Sequence, residues 1–224
     1  EPVPLPKRKE GTLRVLWVGR MLDWKRVDTL IRAVGRLVHD GRAVRLTLVG
    51  HGPQEARLRA LAGKVNAETR RRRGEGDGQD SPLCPKITFL PPVPISEVRG
   101  LMRQADVYVL PSSGTEGWGV VVNEAMLEGC AVVASRESGA GATLIRDGRN
   151  GVLVPSGDVG ALTRVLERLD SDETFRYGLA TTGQADMLAE WIPSVAAERI
   201  VGFCESLLSG REPPQWVSGP LSVV

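Results

Sequence analysis

Six short runs of β-branched and aliphatic residues recur along this chain, and stretches with helical periodicity separate them. The runs are LRVLWVG (13–19), VRLTLVG (44–50), KITFLP (86–91), DVYVLP (106–111), CAVVAS (130–135) and GVLVP (151–155). Strands that are apolar nearly throughout must be covered on both faces, which calls for a parallel sheet between two helical layers. The expected fold class is therefore α/β, a doubly wound six-stranded parallel sheet (Rossmann-like). With the common strand order 3-2-1-4-5-6, the topological switch lies between the first and fourth strands, and ligands are expected at the carboxyl ends there. Gly19-Arg20 and the segment from Pro111 to Glu116 must then converge.

The intervening segments fit this plan. Val27, Leu30, Ile31, Val34, Leu37 and Val38 recur at the 3.6-residue period, with Gly41 placed to close the helix. Residues 54–65 read as a second helix with Leu58 and Leu61 inward. Ser96 is expected to cap a short helix carrying Val98, Leu101 and Met102, and Asp158 one carrying Leu162, Val165, Leu166 and Leu169. Two more helices are expected at 173–190 and 194–208, separated by Pro193. Asp170-Ser171-Asp172 lies between helices and reads as capping rather than as a metal-binding acid pattern. Three prolines in residues 1–11 mark a linker or arm. Residues 66–85, with the run Arg70 to Arg73 followed by EGDGQDSP, read as a solvated, flexible insertion. The domain proper is 12–208, and 209–224 is a loose tail.

Composition narrows the function. A net charge of +2 makes no case for nucleic acid. No apolar run reaches the roughly 18–20 residues of a membrane span, and no secretory leader pattern opens the chain. Three cysteines, Cys84, Cys130 and Cys204, suit a reducing compartment, so a cytoplasmic setting is expected. None has a metal-ligand neighbour, and no metal or cofactor is expected. The chain begins Glu-Pro and is read as a piece of a longer, or a processed, protein.

Chemistry gathers at the expected switch point. Arg20 and Lys25 follow the first strand; a planar fork and a compact charge together suit a diphosphate and its departing charge. After the fourth strand, Gly117-Trp118-Gly119 lets backbone approach a ligand, and the amides of 117–120 at a helix start would face an anion. Glu116 stands just before that helix, and Glu124 is expected about two turns into it. A carboxylate accepts only, which suits the paired hydroxyls of a ribose. Alone, each of these groups is explained as a surface or capping charge; the spaced set points to a site.

The arrangement VGR, Lys25, VGHGP (49–53), DVYVLPSS, EGWGVVVNEAM and DGRNGVLV (147–154) resembles the C-terminal half of a retaining GT-B glycosyltransferase, and is most similar to glycosyltransferase family 4. The resemblance covers about residues 12–205. It implies a nucleoside diphosphate sugar as donor, with Arg20 and Lys25 on the diphosphate, Glu116 on sugar hydroxyls and Glu124 on the ribose. It further implies Gly19 and the backbone of Gly117, Trp118, Gly119 and Val120 near sugar and phosphates, a Gly50–Gly52 turn near the nucleotide, and Leu90 near the base. Pro91-Pro92 stands where the family usually has Gly, and Thr143 where an acid is common. The acceptor domain of such enzymes lies N-terminal and is absent from this sequence, so a partner half is expected, through which the whole could associate peripherally with the cytoplasmic face of a membrane. A non-catalytic sugar-nucleotide-binding subunit, one half of a split transferase, and a nucleotide-sugar epimerase of similar fold are the alternatives.

Overall fold

The computed structural model describes residues 11–73 and 86–216. Six parallel strands form one sheet in the order β3-β2-β1-β4-β5-β6, as the apolar runs predict. They are β1 (Leu13–Val18), β2 (Val44–Val49), β3 (Lys86–Leu90), β4 (Val107–Leu110), β5 (Ala131–Ser135) and β6 (Val152–Val154).

Alternation sends neighbouring residues of each strand to opposite faces. Leu13, Val15 and Trp17 of β1 join Leu46, Leu48, Val107 and Val109 under helices α1 (Val27–His39) and α6 (Val159–Ser171). Leu16, Tyr108, Leu110 and Val132 face the other way. There they meet α3 (Ile95–Gln104), α4 (Val121–Leu127) and α5 (Gly139–Leu144) through Val98, Met102, Val122, Met126 and Leu144. Helix α7 (Glu173–Glu190) serves both layers, adding Leu179 and Ala180 to the first and Met187 to the second. The α1 residues named from periodicity are all buried, Gly41 takes φ +84 after the helix, and the Asp158 carboxylate accepts from Ala161 N at 2.8 Å as its cap. Asp172 likewise caps α7, accepting from Phe175 N at 2.8 Å, and Asp170 pairs with Arg42.

Four expectations change. Helix α2 runs Glu55–Arg73, so residues 66–73 of the expected insertion continue the helix; residues 74–85 lie outside the described residues. The reason is tertiary: Asn66 bonds both backbone groups of Ile87, with Nδ2 donating to its carbonyl at 3.2 Å and Oδ1 accepting from its amide at 3.1 Å. Ser96 is no cap. Pro94, with its fixed φ of −56°, sets the N-cap, and Ser96 falls in the first turn. The two helices expected at 173–190 and 194–208 are present as α7 and α8 (Pro193–Leu208), but Pro193 is the first residue of the second rather than a residue between them, and there its missing N–H costs nothing. Glu124 sits in the first turn of α4, because Gly119 at φ +95 delays the helix to Val121. The arm at 1–10 and the tail at 217–224 lie outside the described residues, while 209–216 hold neither helix nor strand of the sheet.

Candidate functional site at the strand ends

Glycine geometry builds the floor of the site. A Cβ on Gly50, at φ +126, would fall closer than 3.0 Å to the carbonyl oxygen of Gly19. The backbones of the β1 and β2 ends can therefore touch only because position 50 carries glycine. Gly19 N donates to Val49 O at 3.0 Å and Gly50 N to Leu90 O at 3.1 Å, tying three strand ends together. Above this floor opens a pocket of about 260 Å³ lined by Val18, Gly19, Arg20, Val49, Gly50, His51, Pro92, Val93 and Val98. Arg20 is exposed at its wall. Leu90 is not among the residues that line this pocket; its carbonyl accepts from Gly50 N, and Pro92 and Val93, just beyond it, are on the wall. Gly52 also stays off the wall and packs on the Met21 backbone. A larger cavity of about 530 Å³ lies among α1, α2 and α6 and includes His39 and Asp40 at the end of α1, away from the carboxyl ends of the strands.

The two loops converge as the switch-point geometry requires. A one-turn 3-10 helix, Asp23–Lys25, follows β1 and ends at Arg26, which takes the left-handed conformation (φ 50°) directly after Lys25. Ser113 N donates to Trp24 O at 2.8 Å, clamping this turn to the β4 loop. Lys25 Nζ forms an ion pair with Glu116 Oε2, and Ser112 Oγ donates to the same carboxylate oxygen at 3.1 Å. Trp24 is itself partly exposed beside this clamp.

Glu116, Gly117 and Trp118 are held from below. Gly139 N donates to Glu116 O at 3.2 Å and Ala140 N to Trp118 O at 2.8 Å, and the Gly139 Cα approaches so closely that a Cβ would overlap Gly117 O. The amide of Gly141 bonds Ser138 Oγ. The 139–141 turn thus spends its donors inside the protein. By contrast, the amides of Gly117, Trp118, Gly119 and Val120 donate to no group among the described residues. The Trp118 side chain anchors the segment: Nε1 donates to Asn123 Oδ1 at 3.0 Å and the ring packs on Trp191, centroids 5.8 Å apart.

Glu124 stands apart, with no hydrogen bond or ion pair from its side chain among the described residues. Burial pushes its carboxyl above the usual range, and Arg99 counters only in part. Cys130 is buried, donates to Met102 O at 3.1 Å and has its thiol pushed up by burial, consistent with an inert packing role.

Of the residues expected from sequence, the structure unites Lys25 with Glu116, and Gly19 and Arg20 with Gly50. Sequence reasoning missed Ser112, Asn123, Val93 and the Gly139 support, while Pro92 stood out only as a departure from the family's pattern. Only the Pro-Ser-Ser end of the fourth strand signalled the first of these.

A doubly wound sheet with glycine-tied strand ends, cations and open amides at its switch point defines the α/β class, in which ligands generally bind at the carboxyl edge. Residues 12–172 match the family described as Glycosyl transferases group 1, and the chain belongs to that family. It is 31% identical over 205 residues to phosphatidyl-myo-inositol mannosyltransferase of Mycobacterium leprae, covering 91% of this chain and 49% of that protein. It is 29% identical to the amylovoran biosynthesis glycosyltransferase AmsK of Erwinia amylovora, covering 87% of this chain and 45% of that protein. Among solved structures, the C-terminal domain of a glycosyl transferase group 1 family protein (LpcC) from Francisella tularensis superposes with a TM-score of 0.66 at 23% identity, covering 81% of this chain and 87% of that one. The fold is one half of the GT-B architecture, and the chain spans about half the length of the curated relatives it matches.

Proposed function

We propose that this domain binds a nucleoside diphosphate sugar for a retaining, metal-independent glycosyltransferase whose acceptor site lies in its other half. The observation that carries this reading is the row of amides at 117–120 that donate to no group among the described residues, in the loop that also brings Glu116 to Lys25. Four N–H groups that donate to nothing among the described residues, in the same loop cluster as Lys25, suit phosphate charge. In the reaction the bond from the anomeric carbon to the diphosphate oxygen breaks, and a bond from that carbon to the acceptor oxygen forms on the same face. The acceptor's proton passes to the leaving phosphate oxygen, so no protein base is required. Arg20, Lys25 and the amides stabilise the departing charge. Glu116 orients the sugar, and Glu124 accepts from the ribose hydroxyls.

The relatives support a role in building glycans or glycolipids, as their names record amylovoran biosynthesis and mannosyl transfer on phosphatidyl-myo-inositol. No helix among the described residues is long and apolar enough to cross a membrane. A lipid acceptor would be met through the other half of the protein at a membrane surface.

Calorimetry of this chain in EDTA with UDP, GDP, ADP and dTDP tests the reading. Binding of one of them without metal is the expected result. Binding that appears only with added Mg²⁺ or Mn²⁺ sinks the metal-independent assignment, and no binding in either condition sinks the donor site.

Glu124→Gln should act in opposite directions on stability and on binding. A carboxyl whose folded pKa is raised by burial loses stability as pH climbs from its unfolded pKa through its folded one. Removing the charge should therefore raise the unfolding midpoint of the empty domain at pH 7. That gain should shrink at a pH below the ordinary carboxylate range, where both side chains are neutral. The same change should weaken nucleoside diphosphate binding by about 10- to 100-fold, the loss of a charged acceptor. Thermal unfolding at two pH values and calorimetry read the two effects. A lowered midpoint at pH 7 would mean that Glu124 has a stabilising partner instead.

A further inference from the structure

Lys25 and Glu116 neutralise each other, with Ser112 completing the contact on the shared Glu116 oxygen. Both side chains are largely hidden, at 17% and 12% exposure. They come from loops on either side of the switch point, held in place by the Ser113–Trp24 backbone bond. Under the donor-binding reading, on which this inference rests, the two serve different parts of one ligand. Lys25 meets the diphosphate and Glu116 the sugar.

A ligand that carries both parts gives each residue a new partner. A bare nucleoside diphosphate supplies a partner only to Lys25. Its entry strips the cation from Glu116 and leaves a mostly buried carboxylate with one hydroxyl donor beside incoming phosphate charge. Both effects oppose binding, since the carboxylate loses its counter-ion and repels the anion. We infer that the Lys25–Glu116 pair makes the site favour the intact sugar nucleotide over the spent nucleoside diphosphate, and so promotes product release. After transfer the sugar is gone, Glu116 recaptures Lys25, and the diphosphate loses a contact it held in the donor. The pair is thereby a specificity device for the presence of the sugar.

Calorimetry of this chain with the nucleoside diphosphate that binds, and with the matching nucleoside diphosphate glucose, decides the matter. Glu116→Gln should tighten the bare diphosphate roughly fivefold or more, since about fivefold is the upper worth of a solvent-exposed ion pair and this one is largely hidden, while weakening the sugar nucleotide. Glu116→Ala should tighten the diphosphate to a similar degree, and it serves as the second variant if the first is poorly folded by thermal unfolding. A wild-type protein that binds the diphosphate, with variants that bind it equally or more weakly, overturns the inference and leaves the donor-binding reading intact. A wild-type protein that binds none of UDP, GDP, ADP and dTDP overturns both.

Discussion

Removing both cations, Arg20→Met together with Lys25→Met, is expected to weaken nucleoside diphosphate binding by about 10²- to 10⁴-fold, since each charge-assisted contact contributes on the order of 1.5–3 kcal/mol. The two residues should not act alike. Arg20 is exposed on the pocket wall with no partner among the described residues, so its loss removes attraction and nothing else. Lys25 is paired, and in the wild type part of its attraction for the diphosphate is offset by parting it from Glu116. Lys25→Met should therefore cost less than Arg20→Met. Glu116→Gln should tighten the diphosphate less in the Lys25→Met background than in the wild type, because no ion pair is then left to part, which is the signature of coupled neighbours rather than independent sites. Binding of the wild type should also weaken with salt more steeply than that of the double variant, because exposed charge is screened over about 10 Å at 0.1 M ionic strength. Calorimetry at two salt concentrations reads all of these. Equal affinities in the wild type and the double variant would remove the cations from the phosphate site and with them the proposed stabilisation of the leaving group.

The core of this domain was legible because its physics is local. Runs such as VRLTLV and DVYVLP can only be buried strands, and the 3.6-residue recurrence from Val27 to Val38 can only be a helix with one apolar face. The convergence of the β1 and β4 loops followed from topology alone. The identity of the contact between them did not: Lys25 and Glu116 are 91 residues apart, and nothing near either records the other. The sequence reading treated them as separate groups, one for phosphate and one for sugar, whereas the structure pairs them with each other. Element boundaries failed where tertiary contacts override local signals. The polar stretch after Val65 looks unstructured in isolation, yet Asn66 fastens it to β3 and the helix continues through Arg73. Ser96 carries a capping side chain, but the proline two residues earlier has already fixed where the helix begins. Leu90 was named for its place after the third strand, and its carbonyl is consumed by the Gly50 amide, an interaction that depends on how closely β2 and β3 end together.

Two glycine-to-alanine changes of identical chemistry should move stability in opposite directions. At Gly178, inside α7, an added Cβ meets nothing within 4 Å, so alanine should stabilise by about 0.5–1 kcal/mol through helix propensity. At Gly50 the backbone takes φ +126 and the new Cβ would press on the Gly19 carbonyl, which belongs to another strand end and cannot rotate away as a side chain could. The strained dihedral and the overlap each cost about 1–3 kcal/mol, so a loss on the order of 3 kcal/mol or more is expected. For a chain of this size that corresponds to a fall of roughly 6–12 °C in Tm. The damage should not stop at stability. To admit the methyl group, β1 and β2 must part at their carboxyl ends, and the bonds from Gly19 N to Val49 O and from Gly50 N to Leu90 O would stretch. Those strand ends form the floor of the pocket that Arg20 borders, so nucleoside diphosphate affinity should drop well below that of the Gly178 variant even at a temperature where both are fully folded. Thermal unfolding and calorimetry at 10 °C separate the two consequences. A Gly50→Ala protein with wild-type affinity and an unchanged midpoint would show that the strand ends do not meet as tightly as the Gly19–Gly50 contact requires.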